Sequence, residues 1–142
     1  MASDPGGPGR DVLVDSNVIL DVLTEDPEWF EWSSRRLAEL AEVSTLVLNP
    51  IIYAEVSIRF DRIEDLDDAV PADRFRREAL PWEAAFLAGK AFLQYRRRGG
   101  RRRWPLPDFY IGAHAALRRL RLLTRDPRRY RTYFPRLEII AP

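Results

Sequence analysis

The chain has 142 residues, of which 46 % are apolar and 32 % charged, and its formal net charge is +1. That length suits one domain able to bury roughly two-thirds of the surface its unfolded chain exposes. There is no Cys, which excludes disulfides, thiolate nucleophiles and cysteine-based metal sites. No apolar run approaches the ~18 residues needed to span a bilayer, so no membrane contact is expected, and the lack of Cys fits a cytoplasmic address.

Residues 1–10 are rich in Gly and Pro and lack an apolar h-region, so they read as a disordered leader rather than a secretion signal. Residues 11–142 form the expected single domain. Val12-Leu13-Val14 is a short apolar run that reads as a buried strand, broken at Asp15-Ser16-Asn17 and followed by a helix over Val18 to Leu23. Pro27 opens a second helix, with Trp29, Ser33, Leu37, Leu40 and Ala41 along one face. Thr45 to Leu48 reads as the second strand, and Pro50 starts a helix to about Phe60. A short helix follows over Ile63 to Val70, then an edge strand around Arg76 to Leu80.

Pro81 begins a longer helix with Trp82, Ala85, Phe86, Gly89 and Leu93 on one side. It fades into Arg96-Arg97-Arg98-Gly99-Gly100-Arg101-Arg102-Arg103, which gathers six of the chain's basic residues. Guanidinium forks match phosphate oxygens, so these six arginines are candidates for RNA contact as well as a plain solvated loop. A helix is expected from Asp108 to Arg119, a strand over Leu122 to Thr124 ending at Asp126, a short helical piece, and a last strand over Leu137 to Ile140. Strands alternating with helices imply a three-layer α/β/α domain with a mainly parallel sheet of about five strands. In such sheets the crevice lies beyond the carboxyl ends of the strands.

Four acidic residues stand out. Asp15 follows a buried strand, where a carboxylate either caps the next helix or binds a cation. Asp21 reads as a surface residue or an accessory to the same crevice. Glu55 lies in Ile51-Ile52-Tyr53-Ala54-Glu55-Val56-Ser57-Ile58, apolar nearly all round, where an ionised group costs several kcal/mol unless paired or bound to metal. Arg59, one turn on, is its candidate intrahelical partner. Asp108 sits at a helix N-terminus, where the dipole alone explains an anion. Asp126 repeats the strand-then-acid pattern, and as a turn residue before Pro127 it also needs no further role. Together, carboxylates converging on one crevice repel unless a cation compensates. Hard oxygen ligands select Mg²⁺ or Mn²⁺, and phosphodiester hydrolysis is the chemistry such a site suits.

His114 is the only histidine. A two-histidine acid–base nuclease is therefore excluded, and His114 reads as a packing or hydrogen-bonding residue. No motif places a base beside Ser16 or Thr124, so a serine-hydrolase triad is unsupported.

In these residues the chain resembles the PIN domain family and, within it, the VapC-type toxins of bacterial toxin–antitoxin pairs. The resemblance runs from Val12 to Pro142. It is carried by the opening Val12 to Leu20, by Asn49-Pro50-Ile51-Ile52-Tyr53-Ala54-Glu55, by Pro107-Asp108-Phe109-Tyr110-Ile111-Gly112-Ala113-His114-Ala115, and by Leu123-Thr124-Arg125-Asp126 with Tyr130 and Phe134 behind it. It implies that Asp15, Glu55, Asp108 and Asp126 surround one or two Mg²⁺ or Mn²⁺ ions, with Asn17 and Thr124 in support. It also implies a hydrolase: an endoribonuclease acting on transfer, ribosomal or messenger RNA, dimeric, and silenced by a small antitoxin protein. The Arg-rich segment is not part of the shared motifs.

Other readings fit less well. A phosphoryl-transfer enzyme of the haloacid dehalogenase type needs a second Asp two residues after Asp15, where Asn17 stands. A receiver domain needs an acidic pair and a placed Lys, and only Asp15 and the surface-like Lys90 are available. A non-catalytic PIN-fold module that grips RNA or a partner is the remaining alternative, and the four filled acidic positions argue against it.

Overall fold

A computed structural model describes residues 10–142. The sheet has five strands: β1 (Val12–Val14), β2 (Leu46–Leu48), β3 (Phe75–Arg77), β4 (Arg121–Leu123) and β5 (Ile139–Ile140). Between them lie helices α1 (Ser16–Leu23), α2 (Phe30–Val43), α3 (Pro50–Ser57), α4 (Ile63–Ala69), α5 (Trp82–Arg97), α6 (Pro107–Arg118) and α7 (Arg128–Tyr133). Strand order is β3-β2-β1-β4-β5, and every pairing is parallel. Helices cover both faces, giving the expected three layers. β1, β2 and most of β4 are buried, which is why they read as unbroken apolar runs without alternation. Of the expected leader only Arg10 is among the described residues, and its guanidinium pairs with Glu138 at 2.8 Å.

Several boundaries differ from the sequence reading for local reasons. The second helix starts at Phe30 rather than Pro27, because the Asp26 carboxylate accepts from the Glu28 and Trp29 amides at 2.9 Å and holds a turn there. The third ends at Ser57, whose hydroxyl donates to the Ala54 carbonyl, and it is buried only along Ile52 and Val56. Ile58 lies outside and is exposed, so this helix is one-sided, not enclosed. β3 stops at Arg77, three residues before the expected Leu80.

The largest revision concerns α5. The face marked by Trp82, Phe86 and Leu93 is the exposed one, with Trp82 at 89 % and Phe86 at 65 %. The buried stripe is Ala84, Ala88 and Ala91, packed with Phe109 and Ala113 of α6. Small side chains at one-turn spacing let the two helices approach closely, and that geometry has no room for indoles.

Gly112 belongs to the same close packing, since a Cβ there would come within 2.5 Å of the Phe134 ring, whereas one at Gly89 would meet nothing within 4 Å. Denaturant unfolding should therefore give opposite signs for the two alanine substitutions. Gly112→Ala should lose about 1–2 kcal/mol through overpacking, and Gly89→Ala should gain up to about 1 kcal/mol from helix propensity. Equal effects would show that the Phe134 contact does not constrain α6.

Candidate active site

The carboxyl edge of the sheet carries a row of polar residues. Glu78, Asn49, Asp15 and Thr124 directly follow β3, β2, β1 and β4. Val14 is in register with Leu123, so Asp15 and Thr124 are neighbours across two parallel strands. Thr124, rather than Asp126, is thus the counterpart of Asp15 on β4. The strand ends at Leu123, three residues short of Asp126.

Asp15 is 4 % exposed. One oxygen accepts from the Ser16 amide at 2.8 Å, capping α1. The other accepts from the Thr124 hydroxyl at 2.9 Å and the Tyr130 hydroxyl at 2.8 Å. Tyr130 also lies 3.4 Å from an Asp108 oxygen, so two carboxylates from distant segments meet at one phenol. Glu55 joins from α3, accepting from the Ser16 hydroxyl at 3.0 Å. Burial pushes Asp15 from its ordinary 3.8 up to about 6; the Asp108 charge adds to the rise, while the Tyr130, Thr124 and Ser16 hydrogen bonds oppose it. Burial likewise raises Glu55, with the charges of Asp15 and Asp108 adding to it. Burial and the surrounding carboxylates raise Tyr130 well above 10, so its hydroxyl keeps its proton.

The two expected supporting residues form a chain. The Asn17 amide donates to Thr124 Oγ1 at 3.2 Å, and its carbonyl oxygen accepts from the Arg125 amide at 3.2 Å. Thr124 Oγ1 in turn accepts from the Asp126 amide. Hydrogen bonds and mutual charge thus join Asp15, Glu55 and Asp108, whereas the Asp126 side chain is 64 % exposed, lies 3.9 Å from Arg128 and enters the network through its backbone amide. Asp21, read as a surface residue, is 2 % exposed instead. It accepts from Ser33 at 2.7 Å and pairs with Arg125 at 2.9 Å, bracing α1 against α2 and the segment after β4. Arg59 makes no ion pair with Glu55, which bonds to Ser16 instead.

His114 is fully buried, and burial lowers its basicity. Asn49 Oδ1 accepts from the Ile52 amide, which leaves Nδ2 as the group that donates to His114 Nδ1 at 2.9 Å. His114 Nε2 then carries the hydrogen and donates to Glu78 at 3.0 Å. Glu78 is balanced by Arg118 at 3.1 Å.

Arg96, Arg97, Arg98, Arg101, Arg102 and Arg103 lie at the end of α5 and in the loop leading to α6, all exposed. Among the described residues none has an acidic partner within salt-bridge distance; Arg96 donates to the Arg102 carbonyl, and Arg98 lies over the Tyr133 ring. Sequence reasoning did not assign Tyr130, Ser16 and Arg129 to the site. The available signal was weak: one of two tyrosines among the α7 arginines, and a hydroxyl immediately after Asp15.

Among the described residues, no three His, Asp or Glu side chains are gathered tightly enough to hold a metal ion by themselves. Mg²⁺ does not require that, since it keeps several waters and takes one or two carboxylates. Two buried or half-buried carboxylates with raised proton affinity, all oxygen donors, fit such an ion in charge and donor chemistry.

The PIN domain family matches residues 12–135. A comparison with curated protein sequences gives no match. Among solved structures, VapBC2 from Rickettsia felis, bound to a DNA fragment from its promoter, is similar at TM-score 0.72 and 16 % identity, covering 93 % of this chain and 98 % of that one. FitAcB from Neisseria gonorrhoeae gives 0.69 and 20 %, covering 91 % and 96 %. A toxin–antitoxin complex from Klebsiella pneumoniae gives 0.65 and 21 %, covering 91 % and 95 %. With the acidic pocket at the carboxyl edge of a five-stranded parallel sheet and the family match over most of its length, this chain belongs to the PIN domain family.

Proposed function

We propose that this protein is a Mg²⁺- or Mn²⁺-dependent endoribonuclease, the VapC-type toxin of a type II toxin–antitoxin pair. The observation that carries the reading is the meeting of Asp15 and Asp108 at the Tyr130 hydroxyl, with Glu55 near enough that their charges add to the rise that burial imposes on its proton affinity. Carboxylates are held together against their repulsion most simply by a cation. Asp15, Glu55 and Asp108 would hold the ion, while the exposed Asp126 would act on its water shell. When bound, the ion would lower the pKa of a water and offset charge developing on the phosphodiester. The protein's part is placement. Thr124 and Tyr130 fix the Asp15 carboxylate, Asn17 fixes Thr124, and Ser16 fixes Glu55. Arg96–Arg98 and Arg101–Arg103 would contact RNA phosphates.

An antitoxin protein is the expected inhibitor and a second copy the expected partner, in a cytoplasmic setting. Two surfaces are available to them: the exposed apolar side of α5, and a groove of about 920 Å³ lined by α1, α2 and the α4–β3 connection. No helix among the described residues is long and apolar enough to cross a membrane.

Asp15→Asn and Asp108→Asn should each keep the fold, by circular dichroism, and reduce Mg²⁺-dependent RNA cleavage by at least about 10²-fold. Asp126→Asn should cost less, and EDTA should abolish cleavage by the wild type. Wild-type activity that survives EDTA would remove the metal from the mechanism, and RNA binding without cleavage would favour the non-catalytic module.

A second expectation concerns pH. The folded-state pKa of Asp15 lies above its unfolded value, so the folded protein binds more protons between about pH 4 and 6 and the contribution of Asp15 to stability falls as pH rises through that window. The penalty reaches roughly 3 kcal/mol above pH 6 in the ion-free protein. In denaturant unfolding, Asp15→Asn should gain about that much relative to wild type across the window, and Mg²⁺ at neutral pH should stabilise wild type more than the variant. A difference between the two proteins that does not change with pH would overturn the buried-charge account.

A further inference from the structure

The acidic pocket has a cation of its own. Arg129 Nη1 lies 3.1 Å from Asp108 Oδ2, and the two side chains are 41 % and 33 % exposed. Four residues on, one helical turn along the same side of α7, stands Tyr133. The Arg98 guanidinium lies 5.3 Å above its ring. Tyr133 in turn packs edge-on to Phe109, the residue after Asp108, with centroids 5.3 Å apart. Arg98, Tyr133 and Arg129 therefore run along the N-terminus of α6 to the carboxylates, continuing the basic loop into the pocket. Trp104, in the same loop, is 72 % exposed.

We propose that Arg98 and Arg129 form a cationic line that conducts the phosphates of single-stranded RNA to the acidic pocket, and that Arg129 holds Asp108 until a divalent ion claims it. This rests on the nuclease reading and names the side from which its substrate enters. Cations ordered beside aromatic faces are the pattern of single-strand grooves, where bases stack and guanidinium groups track the backbone. A duplex offers no unstacked base for Trp104, whereas single-stranded RNA offers bases to it and phosphates to the arginines. An arginine on a carboxylate also competes with a metal ion for it. Removing Arg129 should therefore weaken RNA binding while strengthening ion binding, and a merely structural role would not move the two in opposite directions.

The test compares wild type, Arg98→Ala and Arg129→Ala, with Arg36→Ala on α2 as a control far from the line. A short labelled single-stranded RNA is titrated in EDTA over a range of NaCl, and Mn²⁺ binding to the RNA-free protein is measured by calorimetry. Each line variant should bind RNA several-fold more weakly, with a salt slope smaller by about 0.7. Arg129→Ala should bind Mn²⁺ several-fold more tightly, and Arg98→Ala should bind it like wild type. RNA affinity and salt slope unchanged in both variants would overturn the line, as would an acidic peptide that displaces the RNA as well as unlabelled RNA does. Unchanged Mn²⁺ affinity in Arg129→Ala would overturn the competition for Asp108. If the binding results hold while wild type shows no ion-dependent cleavage, the line stands and the nuclease reading falls.

Discussion

A carboxylate almost sealed from water at the end of the central strand is the constraint around which this molecule is arranged. Asp15 cannot be left without partners, because an ionised group in that environment is costly. The chain supplies three hydrogen bonds to it, from the Ser16 amide, the Thr124 hydroxyl and the Tyr130 hydroxyl, and still leaves its proton affinity well above normal. Among the described residues, no arginine bonds to Asp15 itself. Arg129 pairs with Asp108, and Arg125 with Asp21. The pocket retains an excess of negative charge that the fold itself does not remove.

That excess explains which groups surround Asp15. Neutral donors dominate around Asp15, since hydroxyls and amides orient the carboxylate without discharging it. The same hydrogen bonds link elements remote in sequence: Asn17 to Thr124, Tyr130 to Asp15, Ser16 to Glu55. Each also sits on a regular element or directly at the end of one, so the site inherits the stiffness of the parallel sheet and its covering helices.

Much of this was legible in the sequence. Unbroken runs such as Val12–Val14 announce strands buried on both faces, and Asp15 directly after the first of them marks the carboxyl edge. What could not be read was anything decided by partners distant in the chain. The apolar side of α5 looked like a core face, yet the alanines that pack against α6 took that role, because close helix approach favours small side chains. Asp21 looked like surface until Arg125 and Ser33 were brought to it. Asp126 and Thr124 were separated only by knowing where β4 stops, a matter of two residues that periodicity does not resolve. Tyr130 carries no local signal of its partnership with two carboxylates 115 and 22 positions away.

The cap on α3 has an electrical consequence. Because Asn49 commits its oxygen to the helix, its nitrogen must donate to His114, and the imidazole is left with only one way to pass the polarity onward, outward to Glu78. The ring stays uncharged, and the charge of Glu78 is drawn to the periphery by Arg118. The relay therefore ends on an ion pair after β3, while Asp15 after β1 is met, among the described residues, only by neutral donors. The single histidine of the chain is thus tied by both ring nitrogens to the α3 cap and Glu78, and is not available as a base to the carboxylates around Asp15.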